Sequence, residues 1–205
     1  RIPSAIAADN NAVETAVDVL SSAPRGRLYK ALVETGMAGQ VFGWAMSAKC
    51  PSFVMFGAMV KKGDDIERVK NVLIDTVENA FKKTPADETE VGLSLAEAAT
   101  DFERTLSDPE EFAVELSDYI SLGDWRLYFY DRDATAKVTP ADVNKAATTY
   151  FVRDNRAVGV FIPDDKPQRA PYMETPKLAD VLKNATFKEE GAVSEAFDVS
   201  QANID

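Results

Sequence analysis

The chain has 205 residues, 45% hydrophobic and 28% charged, a globular balance that excludes collagen-like, disulfide-scaffold and wholly disordered classes. This length allows one large domain or one domain with an appended segment. With 23 basic and 34 acidic residues the net charge is −11, which argues against a nucleic-acid backbone or an anionic membrane surface as partner. The acidity is uneven: residues 1–100 carry 11 basic and 13 acidic groups, residues 101–205 carry 12 and 21.

Histidine is absent. The commonest metal ligand and general base is therefore missing, and Ser-His-Asp, Cys-His and His-based zinc chemistry cannot be completed within the chain. Cys50 is the single cysteine and forms no internal disulfide; beside Pro51 it reads as a small turn or core residue, with no histidine to activate it. No apolar run reaches the roughly 18 residues needed to span a bilayer, and no signal peptide opens the sequence. Arg1 in place of methionine and a polar end at residues 201–205 are the marks expected of a piece of a longer polypeptide.

In chain order, residues 1–4 read as the tail of a strand. Val13, Ala16, Val17 and Leu20 recur at helical spacing and stop before Pro24. A second helix is predicted over 27–35, ended by Gly36. The runs 41–48 and 53–60 have strand length and flank Lys49-Cys50-Pro51-Ser52, a hairpin signal. Asp64 or Asp65 caps a helix with Ile66, Val69, Leu73, Val77, Ala80 and Phe81 on one face. Val91, Leu95, Ala98, Ala99, Phe102 and Leu106 form the stripe of the next. Asp108 and Pro109 open a third, with Phe112, Leu116, Tyr119 and Ile120 inward. Residues 125–130 are ambiguous between strand and helix. Thr139 and Pro140 start another helix, with Val143, Ala146, Ala147 and Tyr150 buried. The run 156–162 is the strongest strand signal, ending at Pro163, and is expected to pair inside the sheet with Val158, Val160 and Phe161 buried. Beyond residue 164, prolines 167, 171 and 176 in a charged background predict an extended linker. A short helix is expected near 178–182, and Tyr172, Leu178, Leu182, Phe187 and Phe197 are the few anchors expected of the partly ordered linker. The expected fold is α+β, an antiparallel sheet with helices packed on one face, over 1–163, followed by the linker 164–205.

Each chemical candidate has a structural counterpart. Gly26-Arg27 opens a helix where free amides meet an anion, yet a packed helix start with Leu28 and Leu32 inward explains it as well. The acidic groups Asp64-Asp65, Asp87-Glu88-Glu90 and Asp108-Glu110-Glu111 fall at helix starts, where capping accounts for them. Trp44, Met46, Met55 and Met59 lie in the hairpin, where core packing outweighs ligand stacking. Arg126, Arg132, Arg153 and Arg156 suit a substrate carboxylate, or neighbouring acids. From the residues alone no catalytic, cofactor-binding or metal site is assigned.

Three stretches resemble the pitrilysin/insulinase (mitochondrial processing peptidase-like) zinc metallopeptidase family: Gly26-Arg27-Leu28-Tyr29-Lys30-Ala31-Leu32-Val33-Glu34, Val138-Thr139-Pro140-Ala141-Asp142-Val143, and Asn155-Arg156-Ala157-Val158-Gly159-Val160-Phe161-Ile162-Pro163. The match in order and spacing runs over about 1–163. The resemblance implies a clamshell of two halves, each of two like domains, with a His-x-x-Glu-His zinc motif in one domain. Without histidine this chain is not that domain. The last domain of the opposing half usually carries an Arg and a Tyr that assist at the substrate carbonyl; Val33 and Gly39 stand at those positions here. The chain then resembles the second domain of a catalytic half, which implies a noncatalytic structural and substrate-chamber domain of a zinc metalloendopeptidase. The alternative is a domain of an inactive family member acting as partner or assembly subunit. Zinc is then expected in the parent protein and not in this chain. The implied partners are peptide substrates, the neighbouring zinc-binding domain and the opposing clamshell half. The compartment is left open, with the periplasm the guess from exported bacterial relatives.

Overall fold

A computed structural model describes residues 1–186. The chain divides into two compact units, Arg1–Gly159 and the stretch from Val160 onward.

The first unit is built around α1 (Asn10–Ser21). Val13, Ala16, Val17 and Leu20 are buried as their spacing predicts, and Ala12, Thr15 and Val19 are buried too, so the helix is enclosed nearly all round. It contacts α6, β1, α3 and α5. The chain turns back through a cis Ala23–Pro24 bond into Gly26, where a Cβ would lie 2.6 Å from the Ser22 carbonyl oxygen. Only glycine lets the backbone approach that closely. A helical turn follows, with π-helical bonding over Tyr29–Val33; it buries Leu28 and Leu32 completely and ends as predicted at Gly36 (φ 73°).

The predicted hairpin is present: β1 (Gln40–Ala45) and β2 (Val54–Met59) form a two-stranded antiparallel sheet. Val41 faces Ala58, Gly43 faces Phe56 and Ala45 faces Val54; alternating with them, Gln40 faces Met59, Phe42 faces Gly57 and Trp44 faces Met55. The first set joins the hydrophobic core, with Gly43 against Ser21 of α1 and the Phe56 ring edge-on to Phe151 at 5.5 Å. The predicted strand tail at the start is a single antiparallel bridge, Ile2 to Ser52.

Helices α2 (Ile66–Lys83), α3 (Glu88–Ser107), α4 (Pro109–Leu122) and α6 (Pro140–Tyr150) begin where capping residues predict. Asp65, Asp87 and Asp108 accept backbone N–H bonds in the first turn, and Thr139 with Asp142 forms a capping box. The ambiguous stretch is helical, α5 (Leu127–Thr135). Tyr128 there is buried among Phe102, Phe112, Tyr119 and Phe129. This aromatic cluster joins α3, α4 and α5, so tertiary contact decided a segment whose own pattern did not. Ile120, expected inward, is exposed. No helix of the described residues is long and apolar enough to cross a membrane.

The strand expected over 156–162 does not form. A short 3-10 turn (Arg153–Asn155) leads into irregular backbone, and Val158, Val160 and Phe161 are 49%, 45% and 89% exposed. A strand exists by pairing, and among the described residues the sheet has two members, both in the hairpin. In the second unit the predicted short helix is present as α7 (Leu178–Leu182). Of the linker's expected anchors, Tyr172, Leu178 and Leu182 are exposed; Phe187 and Phe197 lie outside the described residues.

Candidate functional site

Three of the four arginines that looked available for a substrate are engaged by neighbouring acids or rings. Arg126 pairs with Asp124, Arg156 with Glu78, and Arg132 with Asp133 while lying over the Phe102 ring at 5.0 Å. Arg153 lies in the 3-10 turn, apart from these pairs. Arg27 clamps rather than receives an anion: Nε and Nη2 donate to Glu90 at 2.9 and 2.5 Å, Nη1 donates to the Thr84 carbonyl at 2.7 Å, and the guanidinium covers Phe81. The Gly26 N–H donates to the Ser22 carbonyl, so this helix start is consumed by packing. The acidic groups at residues 65, 87 and 108 are caps.

A polar network absent from the sequence reading ties α1 to α4, α5 and the hairpin turn. Asn11 Nδ2 donates to Asp131 Oδ1 at 2.6 Å and to Thr135 Oγ1 at 2.8 Å; the Tyr119 hydroxyl donates to Asp131 Oδ2 at 2.8 Å. Beside it, Glu14 accepts from Ser47 and from Asn10 Nδ2. Burial pushes the Glu14 carboxyl above its ordinary range; the bond from Ser47 pulls it back, the Asp131 charge raises it further, and Asn10 again opposes. Burial, then the Asp131 carboxylate, drives the Tyr119 phenol far above its ordinary value, keeping it a hydrogen-bond donor. The Asn10–Glu14 spacing of four is a helical pair, yet nothing local announces that Asp131 stands opposite.

The hairpin presents a second surface. Trp44, Met46, Phe53, Met55 and Met59 are between 40% and 59% exposed, correcting the expectation of core packing. The ladder places Trp44, Met55 and Met59 opposite the core-facing set. Met46 donates its N–H to the Phe53 carbonyl at 2.9 Å, extending the pairing by one step, and the Trp44 and Phe53 rings meet edge-on at 5.5 Å. Phe42 lies across Gly57, whose missing side chain leaves the ring its place. The result is a contiguous strip of aromatic and thioether groups backed by a packed core.

No family model and no curated protein matches the chain. Solved structures do. The chain is 38% identical to the inactive peptidase domain of a protein named as a zinc protease from Bordetella parapertussis, over 83% of this chain and 91% of that one, with a TM-score of 0.75. A protein named as a zinc protease from Bordetella pertussis Tohama I gives 36% identity, 80% and 90% coverage and a TM-score of 0.73. The M16 inactive domain from Pseudomonas fluorescens shares the fold at 14% identity and a TM-score of 0.58, over 69% of this chain and 34% of that one. The chain belongs to the pitrilysin-type (M16) zinc peptidase family, among its inactive peptidase domains. The α+β fold with its antiparallel hairpin is that of these relatives.

For an M16 domain the first question is the metal, and this donor set does not fit zinc. The sequence has no histidine, Cys50 is exposed and isolated, and the described residues contain no group of three potential ligands.

Proposed function

We propose that this chain is a noncatalytic domain of a zinc metalloendopeptidase, the second domain of its catalytic half. It braces the zinc-bearing domain and supplies part of the wall enclosing unfolded peptide substrates. The observation that carries this reading is the open hairpin strip, an apolar surface held on a rigid helical base. Apolar side chains of an unfolded chain gain burial there at about 25 cal/mol per Å², while a folded protein presents few such groups. Val33 and Gly39, at the positions where the resemblance places the assisting Arg and Tyr of the opposing half, agree with a domain that encloses rather than cleaves.

The test uses this chain joined or bound to the zinc-bearing domain. Trp44→Ser with Met55→Ser should raise KM for a carboxymethylated, unfolded protein about tenfold, with zinc content unchanged. An unchanged KM would remove the wall from its proposed place. A companion domain without His-x-x-Glu-His would replace this reading with that of a partner or assembly subunit.

A further inference from the structure

We propose that the open hairpin strip selects unfolded segments in which a short apolar run is flanked by aspartate or glutamate. This rests on the chamber-wall reading and adds to it a substrate class. The apolar part follows from the strip itself. Its methionines are unbranched and polarizable and adapt to many side-chain shapes, and its aromatic rings offer broad, stiff contact.

The acidic flanks follow from charge. Between Glu34 and Asp64 the sequence contains Lys49, Lys61 and Lys62 and no acidic residue, in a chain of net charge −11. Lys49 lies in the turn joining the strands and Lys61 two residues past the end of β2. Neither forms an ion pair with a carboxylate among the described residues, in contrast to Arg25, Arg27, Lys70 and Lys83. The hairpin is thus an apolar strip with a lysine at each end, in a chain of net charge −11 whose next acidic residues on either side are Glu34 and Asp64. Six residues of strand span about 20 Å, beyond one Debye length at physiological salt, so each lysine acts on its own end of a bound segment. An extended peptide with about six central residues and an acid at either end matches that spacing. The chain's net charge of −11 disfavours non-specific association of such an acidic peptide elsewhere on the molecule.

Three fluorescein-labelled peptides titrated into the whole chain, read by anisotropy, test this. The first has Asp-Asp flanks around Leu-Phe-Ser-Leu-Phe-Ser, the second Lys-Lys flanks around the same centre, the third Asp-Asp flanks around a Gly-Ser centre. The first should bind about tenfold tighter than either of the others, a difference of about 1.4 kcal/mol. Trp44→Ser with Met55→Ser should abolish its binding, and Lys49→Glu with Lys61→Glu should reverse the preference between the first two peptides. All four positions are exposed, so circular dichroism and Tm should show each variant folded. Equal binding of the first two peptides, lost in the Trp44 and Met55 variant, would overturn the acidic preference and leave the chamber wall standing. No binding of any peptide by folded protein would overturn both. A concentration-dependent dimer in sedimentation, lost on Trp44→Ser with Met55→Ser, would overturn the proposal in favour of a second copy on this face.

Discussion

Asn11 shows how one side chain holds helices together that lie far apart in sequence. Its Nδ2 bridges Asp131 and Thr135 of α5 from the buried side of α1. In Asn11→Ala the Asp131 carboxylate keeps Tyr119 and loses its amide donor, so unfolding by urea should show a loss of about 1.5–3 kcal/mol. A loss under about 0.5 kcal/mol would mean that packing alone joins α1 to α5. Glu14, a few atoms away, acts in the opposite sense. Its folded carboxyl holds a proton to higher pH than the ordinary 4.5 of the unfolded chain. The folded state therefore binds more protons between the two values. This contribution to stability is full below pH 4.5 and is lost as pH rises through the folded value. Glu14→Gln, which keeps an acceptor for Ser47 and Asn10 without the charge, should be more stable than the parent chain near neutral pH. Tm measured against pH should show that gain shrinking as pH falls toward 4.5; a gain constant with pH would place its cause elsewhere.

Among the elements, helices were legible because their signals are local. Asp65, Asp87, Asp108 and Thr139 announce the starts of α2, α3, α4 and α6, and Gly36 announces an end. The hairpin was legible as a pair of strands, but not which face would be open. Phe42-Gly43-Trp44-Ala45-Met46 alternates large with small, and only the arrival of α1 at Gly43 shows that the small face is the covered one. The run 156–162 misled for a related reason. β-branched composition records compatibility with a sheet, whereas a strand also needs a neighbour. Val158→Thr discriminates between the two descriptions. In an exposed segment it should change stability by less than about 0.5 kcal/mol in urea denaturation; a loss above about 1.5 kcal/mol would mean that Val158 is buried in solution. The polar network escaped notice altogether, because Asn11 and Asp131 stand 120 positions apart and neither belongs to a motif.

For the whole molecule, the donor inventory and the division into two units lead to separate expectations. A tight zinc site assembled from carboxylates alone is chemically unfavourable, so metal analysis of the purified chain should find no stoichiometric zinc; one equivalent per chain would contradict membership among the inactive domains. The second expectation concerns where the domain ends, which we place near residue 163, with the linker beyond it. Within 164–186 the only regular element is the five-residue α7, and Tyr172 and Met173 are almost fully exposed. Little apolar burial opposes local opening there, and a protease cuts fastest where opening costs least. Lys49 is also exposed, but the hairpin turn that carries it is held by the Ile2–Ser52 bridge and the Met46–Phe53 bond. Brief trypsin treatment should therefore cut after Arg169, Lys177 and Lys183 well before Lys49, while the proline after Lys166 protects that bond. Mass spectrometry of the products should show a resistant fragment containing all of α1–α6. Protection of Arg169 and Lys177 equal to that of the helices, in a dilute monomer, would make the segment an integral part of the domain and move the boundary past it.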